Sequence, residues 1–429
     1  MGVNSSRDPS PGTGESQRPK VLLLVRPAAG GMREEFLLLA RSLAATDLEI
    51  SGCGMADPYL VHGFREAELP YFPLRLESWL SGVRNLQSLL RQQKPQLLHS
   101  HGLYAAAMAS VALLFHPQVR HVVTIHTLLT PERFRGASGA VLRALAYRAL
   151  SRADALVTVS NAARDSIAAV FPALRDKVRV IPNAVEIEPL LEPVNRPAML
   201  RLLGLREDCP HVGVVARLSP EKGVDCFLRA AQILHAMGIA AEYVVVGDGP
   251  LRRHLVTLAH QLGISGEVHF LGEQIEIAPI LATLDVLVIP SLSESFSLIG
   301  VKAALLGLPI VAARVGGLPE VLPESMARFV PPGDADALAE AIQEVLEDLA
   351  KRPSVWLEDL DLAMSSLAFS LRTGLNLDVE MAPHYLTAGD HQDTRVTLAE
   401  RYSPQLMASR YRALYLQVLG RADAENATK

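Results

Sequence analysis

Short, continuous runs of apolar residues recur along the chain from residue 20 and alternate with stretches that have a helical pattern. The first five runs are VLLLV (21–25), LLHSH (97–101), HVVTI (121–125), ALVTV (155–159) and VRVIP (178–182). Continuous rather than alternating hydrophobicity is typical of strands in a parallel sheet that is covered on both faces. GMREEFLLLARSLA (31–44) and residues Val141 to Ala153 have helical patterns between the runs. This alternation predicts a doubly wound parallel α/β architecture.

A proline-rich segment, EIEPLLEPVNRP (186–197), interrupts the alternation and is the best candidate for a hinge. Beyond it the apolar runs restart, which predicts a second sheet and therefore two Rossmann-like domains, residues 20–190 and 198–350. The runs of the second half are HVGVV (211–215), EYVVVG (242–247), VHFLG (268–272), DVLVIP (285–290) and PIVAA (309–313).

The ends of the chain are less regular. Residues 1–19 are polar, lack the apolar core of a signal peptide and are interpreted as a disordered leader. Residues 351–400 have no clear period and form an insertion of uncertain structure. The last predicted element is a helix over residues 403–420, with Ser403 as its N-cap and Pro404 at its first position, and we assign it to the N-terminal domain.

Composition narrows the classes of function. The 429 residues, 49% hydrophobic and 20% charged, suit a well-packed protein of two domains. A net charge of -5 gives no reason to expect a nucleic acid as partner, so any site for an anion must be local. The three cysteines lie far apart and are expected to be free thiols in a reducing compartment. We therefore expect a cytoplasmic protein.

No apolar run approaches the length of a membrane span, so only peripheral contact with a membrane comes into consideration. GVRNLQSLLRQQKP (82–95) is a basic and apolar helical stretch that would suit the inner face of a membrane. An amphipathic helix that faces the core is the alternative interpretation, and the favoured one.

Two glycine-rich loops follow predicted strands and open predicted helices, which is where ligands bind in open parallel sheets. Gly30 and Gly31 follow the first strand, and their backbone N–H groups could approach a phosphate closely. Gly247 opens the segment GDGPLR, which lacks the third glycine of the dinucleotide-binding fingerprint. Tight structural turns would explain both loops equally well.

Two cations follow the apolar strand at residues 211–215. Arg217 leaves the end of the strand, and Lys222 lies five residues later, just before a helix. In an acidic protein, two cations at this end of a strand indicate an anion with more than one charge. Solvated surface charges are the alternative.

At this point a family resemblance becomes specific. The segments VVARLSPEKGVDCFLRAAQIL, VVVGDGPLRRHL, VHFLG, VIPSLSESFSLIGVKAALLGLPIVAARVGGLPEVL and PPGDADALAEAI, in this order, resemble the C-terminal half of family 4 of the retaining GT-B glycosyltransferases. The first half is similar more loosely, through GGM, HSHG, TIHT, VTVSNAARDSI and VIPNAV. The resemblance covers residues 20–349 and resumes at 400–420. It implies a GT-B fold, with two Rossmann-like domains that face a central cleft.

The resemblance also implies catalytic roles. Arg217 and Lys222 match the cations that hold the diphosphate of a nucleotide-sugar donor and offset the charge that grows on it as it leaves. Glu294 matches the carboxylate that binds a sugar hydroxyl and faces the reacting carbon. His126, in TIHT, matches a histidine near the sugar, with a hydrogen-bonded structural histidine as the alternative.

Further residues match positions that bind the donor. Backbone N–H groups of Ser297, Leu298 and Ile299, at the start of a helix, would add donors and a favourable dipole. The backbone at Phe270 and Leu271 would meet the base.

No metal or other cofactor is expected, because the cations and the helix end would replace a metal in stabilising the diphosphate. Asp334 and Asp336 are expected to cap a helix, and Asp359–Asp361 lies in the unassigned insertion. His99 and His101 in HSHG are interpreted as part of the cleft or core rather than as metal ligands.

Lys302 is where the sequence departs from the family pattern. The family has a second glutamate there, eight positions after the first, which binds both ribose hydroxyls. A lysine ammonium has three donors and no acceptor, so it cannot make that contact. Loss of such a charge-assisted interaction costs roughly 1.5–3 kcal/mol. Lys302 could also lean toward the diphosphate or turn into solvent.

The sequence therefore predicts a metal-independent, retaining hexosyltransferase that moves a sugar from a nucleotide sugar to a glycan or lipid-linked acceptor, as in the biosynthesis of cell-surface polysaccharides. Same-face attack, with the departing phosphate oxygen taking the acceptor proton, is the favoured route to retention. An impaired relative that binds nucleotide or sugar and supports a partner enzyme is the main alternative. A phosphorylase or epimerase with the same fold is a weaker one.

Overall fold

The structure, a computed structural model, describes residues 18–26, 30–75, 78–351 and 390–420, with side chains from residue 394 in the last stretch. Two entirely parallel β-sheets form its framework, one from each half of the chain. The first seventeen residues of the predicted leader and residues 352–389 of the predicted insertion lie outside the described residues.

The first sheet has seven strands in the order β3-β2-β1-β4-β5-β6-β7. They are β1 Lys20–Val25, β2 Glu49–Gly54, β3 Tyr71–Pro73, β4 Leu97–His101, β5 Arg120–Ile125, β6 Ala155–Thr158 and β7 Val178–Val180. All five strands predicted for this half are present, with ends that differ by two residues at most. The sequence prediction missed β2 and β3.

The second sheet has six strands in the order β10-β9-β8-β11-β12-β13. They are β8 His211–Val215, β9 Glu242–Val246, β10 Val268–Gly272, β11 Val286–Ile289, β12 Ile310–Ala313 and β13 Ala327–Val330. The predicted strands correspond to β8 to β12, and β13 was missed. The predicted doubly wound α/β fold is confirmed.

Helices cover both faces of each sheet. In the first half they are α1 Gly31–Ala44, α2 Pro58–Glu66, α3 Trp79–Gln93, α4 Gly102–Ala112, α5 Gly136–Ser151 and α6 Asn161–Val170. In the second half they are α7 Arg196–Leu203, α8 Val224–Ala236, α9 Arg252–Gln261, α10 Ala278–Leu281, α11 Leu298–Leu306, α12 Leu318–Val321 and α13 Ala335–Ala350. The helix predicted at residues 31–44 is confirmed, whereas α5 begins five residues before the predicted Val141.

The packing of β1 shows why its sequence is continuously apolar. Leu22 and Leu24 lie in a core with α3 and α4, while Leu23 and Val25 lie in another core with α1 on the opposite face. Because both faces of the strand are covered, no position is left for a solvated polar side chain.

Two helices end the described chain, α14 Asp390–Arg401 and α15 Pro404–Val418. Helix α14 lies within the stretch predicted as an insertion of uncertain structure, and its Leu398 packs in the core of the second sheet. Helix α15 packs in the core of the first sheet, where Tyr411 and Tyr415 are fully buried. Ser403 caps α15 by accepting a hydrogen bond from the Leu406 backbone N–H at 3.2 Å, as predicted.

The strand orders determine where ligands can bind. Strand β1 lies between β2 and β4, and β8 lies between β9 and β11, so each sheet has a point at which strand order reverses. Loops on the two sides of such a point diverge and leave a crevice at the carboxyl ends of the strands. The candidate residues Gly30, Lys222 and Glu294 all follow these strands.

Candidate active site

The centre of the site is an ion pair between two loops of the second sheet. Lys222 ends a 3₁₀ turn after β8, and Glu294 lies in the loop between β11 and α11. The Lys222 Nζ donates to Glu294 Oε2 at 2.5 Å, and the Ser291 hydroxyl donates to the same oxygen at 3.3 Å. Glu294 is buried, and the Lys222 side chain remains about a quarter exposed. A carboxylate with a partly open cation beside it can therefore receive a polar ligand.

Glycines allow these loops to approach each other. A Cβ at Gly223, which has a φ of +62°, would lie 2.1 Å from the Pro290 backbone carbonyl oxygen. A Cβ at Gly316, with a φ of +52°, would lie 2.0 Å from the Glu294 carbonyl oxygen, and the Gly317 N–H donates to that oxygen at 2.9 Å. No side chain fits at either position, so the glycines fix the Lys222 and Glu294 loops.

The N-terminus of α11 opens beside Glu294. The Ser297 hydroxyl caps this helix by accepting from the Gly300 N–H at 3.1 Å. The N–H groups of Leu298 and Ile299 have no acceptor among the described residues. Free N–H groups and the positive end of the helix dipole favour an anion at this point.

The two halves of the chain meet at the same place. The hydroxyl of Ser295, next to Glu294, donates a hydrogen bond to the backbone carbonyl of His126. His126 follows β5 of the first sheet, and its side chain is 8% exposed. The structure thus brings the predicted residues His126, Lys222 and Glu294 to one crevice between the sheets.

His126 belongs to a buried cluster that the sequence did not reveal. Its Nε2 lies 3.0 Å from His101 Nδ1, and Oε2 of Glu35, from α1, lies 3.7 Å from both nitrogens. Glu35 is only 1% exposed, and neither of its carboxylate oxygens has a hydrogen-bond partner among the described residues. Position 35 belongs to the buried stripe of α1 with Leu39 and Leu43, and a glutamate at such a position was the available signal.

Burial keeps this cluster neutral near pH 7. It raises the pKa of Glu35 from 4.5 to about 8, and it lowers the pKa of His126 from 6.5 to about 4. The pKa of His101 is also lowered, first by burial and then by the neighbouring histidines. A protonated carboxyl beside two neutral imidazoles therefore adjoins the crevice.

Comparisons with known proteins identify the family of the chain. The family model Glycosyltransferase Family 4 matches residues 29–189, and Glycosyl transferases group 1 matches residues 209–348. A D-inositol 3-phosphate glycosyltransferase from Saccharomonospora viridis is 30% identical over 309 residues, which cover 68% of this chain and 70% of the relative. The chain belongs to the group 1, family 4 glycosyltransferases.

Two other similarities extend over most of this glycosyltransferase. A 2-deoxystreptamine N-acetyl-D-glucosaminyltransferase from Streptomyces fradiae is 29% identical, and the alignment covers 75% of this chain and 83% of the relative. The crystal structure of Anabaena HepE in complex with UDP-glucose has a TM-score of 0.73 at 20% identity. The superposition covers 93% of this chain and 99% of the HepE chain. This structural similarity concerns the GT-B fold alone.

In this glycosyltransferase, Lys302 does not turn into solvent. Its Nζ donates to Glu34 Oε1 of α1, and only 11% of its side chain is exposed. The adjacent Arg33 of α1 pairs with Glu273, in the loop after β10. A Cβ at Gly31 would lie 3.0 Å from Leu298 Cδ1. The start of α1 therefore lies against the start of α11.

The remaining predicted donor residues are Arg217, Gly247, Phe270, Leu271 and Gly30. Arg217 is exposed and has no ion-pair partner among the described residues. Gly247, with a φ of +124°, has no room for a Cβ because the Ala216 carbonyl oxygen would be 2.0 Å away, which supports the structural turn as a reason for this glycine. Phe270 and Leu271 lie on β10 and are partly buried. Gly30 has a φ of +63° and precedes α1.

Other candidates have structural roles. His99 is fully buried, and its two ring nitrogens hydrogen-bond the hydroxyls of Thr124 and Tyr415, both at 2.7 Å. Asp334 caps α13 by accepting from the Ala337 N–H at 2.9 Å, as predicted. Asp359–Asp361 lies outside the described residues. All three cysteines are free thiols, as expected.

Proposed function

We propose that this glycosyltransferase moves a sugar from a nucleoside diphosphate sugar to a glycan or lipid-linked acceptor, with retention at the anomeric carbon and without a metal. The observation that carries the proposal is the Lys222–Glu294 pair, held by Gly223 and Gly316 at the start of α11. The complexes of HepE with UDP and with UDP-glucose support a nucleotide-sugar donor for this fold.

The pair suits both parts of the donor. An ammonium has three N–H donors, so Lys222 can hold Glu294 and a phosphate oxygen at once. Its charge, together with the N–H groups of Leu298 and Ile299, would stabilise the diphosphate as the bond to the sugar breaks. The buried Glu294 carboxylate offers oxygens that accept hydrogen bonds from sugar hydroxyls. Arg217 is free to contribute a second cation.

Retention follows if attack and departure occur on the same face of the sugar. The bond between the anomeric carbon and the phosphate oxygen breaks, and the acceptor oxygen forms a bond from the same side. The departing phosphate oxygen accepts the proton of the acceptor hydroxyl, so no protein base is required. His126 would border the sugar from the first domain.

The proposed reaction needs no metal, although Glu35, His101 and His126 place ligand atoms within 4.8 Å of one another. A chelator such as EDTA should leave the rate of transfer unchanged. Loss of transfer on chelation, with recovery on adding back a divalent cation, would contradict metal independence.

The test of the proposal is a thermal-shift screen with UDP, GDP, ADP and their sugars, followed by assays of nucleoside diphosphate release. A ligand of the native state at a hundred times its Kd raises stability by about 2.7 kcal/mol. Lys222→Ala should lower the rate of release by roughly a hundredfold or more, as loss of an electrostatic donor does elsewhere. Lys351→Ala, at an exposed lysine directly after α13, is the control. If no nucleotide shifts the melting temperature, the proposal fails.

The impaired relative remains a second candidate because Lys302 replaces an expected acceptor of ribose hydroxyls and is engaged by Glu34. The two functions differ in one measurement. Nucleotide binding without release of nucleoside diphosphate, over a panel of glycan and lipid-linked acceptors, would favour the binding relative.

A further inference from the structure

Positive charge is concentrated in one part of this acidic protein. Residues 78–152 contain nine arginines and lysines and a single acidic residue, Glu132, a local net charge of +8 against -5 for the whole chain. This stretch contains α3, α4 and α5, which lie side by side on one face of the first sheet. We call it the α3–α5 layer. An asymmetry of this size indicates a partner with negative charge.

The same layer exposes large apolar side chains. Fourteen large hydrophobic residues of the described chain are exposed, and eight of them belong to the layer. Single exposed apolar residues are normal, but a group of them in one region marks a surface of interaction. They are Trp79, Leu80, Leu114, Phe115, Val141, Leu142, Leu145 and Tyr147.

Helix α5 exposes its large apolar side chains and buries small ones, the reverse of what a helix that only covers a sheet would do. It buries mainly small residues, such as Gly139, Ala146 and Ala149, against its neighbours. Val141 and Leu145 are 61% and 57% exposed. Packing would be served better by the aliphatic side chains than by the alanines, so the exposed face of α5 has another use.

We propose that the α3–α5 layer is a docking surface for a lipid bilayer that contains anionic lipids. Arginines would lie at the level of the phosphates, while aliphatic side chains enter the boundary of the acyl chains. Trp79 and Tyr147 are residue types that concentrate at membrane interfaces. Binding to nucleic acid would use the charges but would not require exposed leucines and valines.

The α5 part of this surface lies beside the cleft, whereas Leu114 and Phe115 precede β5 and lie toward the opposite edge of the sheet. His126 follows β5 at the cleft, and α5 begins ten residues later at the same edge of the sheet. Val141 is five residues into the helix, about 7–8 Å along its axis. Docking would therefore bring the cleft close to the membrane, and if the proposed function holds, a lipid-linked acceptor could reach the sugar from the bilayer. Among the described residues no helix is long and apolar enough to cross a membrane.

The helix that the sequence suggested for membrane contact is α3, which contributes little to this surface. The apolar side chains of α3 face the core, where Val83, Leu86 and Leu90 are buried. Only the first turn of α3, with Trp79 and Leu80, takes part in the exposed surface. The favoured interpretation of residues 82–95, an amphipathic helix that faces the core, is confirmed.

The test is co-sedimentation of the whole protein with vesicles of phosphatidylcholine, alone or with one third phosphatidylglycerol. We expect binding to the anionic vesicles that weakens with added salt, and little binding to phosphatidylcholine. One variant, Val141→Ser/Leu142→Ser/Leu145→Ser, removes the apolar part. A second, Arg133→Gln/Arg148→Gln/Arg152→Gln, removes charges that make no ion pair in the described structure.

Each arginine near an anionic surface contributes about 1 kcal/mol, so loss of three should weaken partitioning roughly a hundredfold. Matched controls are Leu202→Ser/Met237→Ser and Arg229→Gln/Arg253→Gln, at exposed positions of the second half. The controls should bind like the wild-type protein. All ten substituted positions are exposed, and an unchanged melting temperature will show that the variants fold.

Three results would overturn the proposal: no binding to anionic vesicles, equal binding by the layer variants and the wild-type protein, or an equal loss in the control variants. The vesicle measurement does not depend on catalysis. Failure of the nucleotide screen would leave it intact, and loss of vesicle binding by a variant that still releases nucleoside diphosphate would leave the proposed reaction intact.

Discussion

Glu35 shows how one buried residue can shape a site that sequence patterns place only in outline. His126 was predicted from its motif, but its surroundings depend on a carboxyl that enters the core from α1 and lies 3.7 Å from two imidazoles. Burial raises the pKa values of Tyr411 and Tyr415 of α15, and the nearby Glu35 carboxyl makes a smaller contribution in the same direction. A local sequence pattern cannot predict that residues so far apart in the chain lie close together in the fold.

The raised pKa of Glu35 predicts how stability depends on pH. The unfolded chain loses this proton near pH 4.5, whereas the folded protein keeps it up to about pH 8. The folded state therefore binds more protons in this window, and stability falls as the pH rises through it. His121 and His126, with folded pKa values of about 4, act in the opposite direction between pH 4 and 6.5. From pH 6.5 to 8 the effect of Glu35 should dominate.

Glu35→Gln, which resembles the protonated carboxyl, should remove that fall in stability. We expect the wild-type protein to lose about 2 kcal/mol of unfolding free energy between pH 6.5 and 8, since each pH unit is worth up to 1.4 kcal/mol. The unfolding free energy of the variant should change little between these two pH values. Urea titrations at the two pH values measure this difference, and parallel losses in both proteins would show that Glu35 ionises in the folded state as in the unfolded one.

Gly223 should be required for the position of Lys222. A Cβ there would meet the Pro290 carbonyl oxygen at 2.1 Å, so Gly223→Ala must move the loop. The matched control is Gly238→Ala, because Gly238 has a similar φ of +76° but open space around it. Both changes carry the cost of a left-handed alanine, about 1–2 kcal/mol. Only Gly223→Ala should also weaken binding of nucleoside diphosphate in calorimetry, and equal affinities would show that the loop tolerates the shift.

At the scale of elements, the start of α1 and the start of α11 form a contact through Lys302 and Glu34. Lys302 lies where the resemblance places a ribose-binding glutamate, and Glu34 of α1 has become its partner. The carboxylate that faces this place now comes from the other half of the chain. The consequence is that a change at Lys302 cannot be interpreted without its partner.

We therefore predict different results for Lys302→Glu alone and for Glu34→Gln/Lys302→Glu. The single change would place the new carboxylate beside that of Glu34. Their repulsion would disfavour the contact between α1 and α11 and offset the gain of a ribose acceptor. The double variant supplies the acceptor without the repulsion and should bind nucleotide roughly 10- to 100-fold more tightly than the wild-type protein. Calorimetry with UDP, GDP and ADP measures this. No gain in the double variant would mean that the ribose does not bind at this position.

Two elements, β2 and α14, were not predicted from the sequence pattern, and the physical reason is the same for both. Strand β2, EISGCG, contains a serine and two glycines, and the first glycine, Gly52, has no room for a Cβ because the Phe64 and Tyr71 side chains fill that space. Helix α14, DHQDTRVTLAER, is polar over most of its length and docks through few residues, among them Arg395, whose Nε donates to the Leu305 carbonyl at 2.9 Å. Patterns detect elements that bury a regular stripe, and these two are fixed by tertiary contacts instead.

At the scale of the whole molecule, the loops that follow β1, β5, β8 and β11 meet in one crevice because both sheets reverse their strand order beside it. Lys222 and Glu294 could be predicted because each follows its strand within one motif. Their meeting with His126 followed only from the family resemblance and not from any local pattern, because it depends on how the two sheets face each other. That arrangement is held by polar contacts across the crevice as well as by α14 and α15.

Glu320 makes the most complete of these cross-domain contacts. From α12 it accepts hydrogen bonds from the backbone N–H groups of Asn161 at 2.8 Å and Ala162 at 2.6 Å, at the N-terminus of α6. A carboxylate at a helix N-terminus gains from the dipole and from two charge-assisted bonds. Since the contact joins the two halves without entering either core, its loss should shift the opening of the cleft rather than unfold a domain.

Glu320→Ala should therefore raise the radius of gyration in small-angle scattering and raise KM for the donor, with a change in melting temperature of no more than a few degrees. Glu324→Ala is the matched control, because this exposed carboxylate pairs only with Arg314 on its own side of the cleft among the described residues. A saturating nucleotide ligand should return the variant to the compact form, since binding across the crevice favours the closed arrangement. If scattering and KM are the same for Glu320→Ala and the control, the two halves are held together by the apolar contacts of α14 and α15, and the crevice does not depend on this carboxylate.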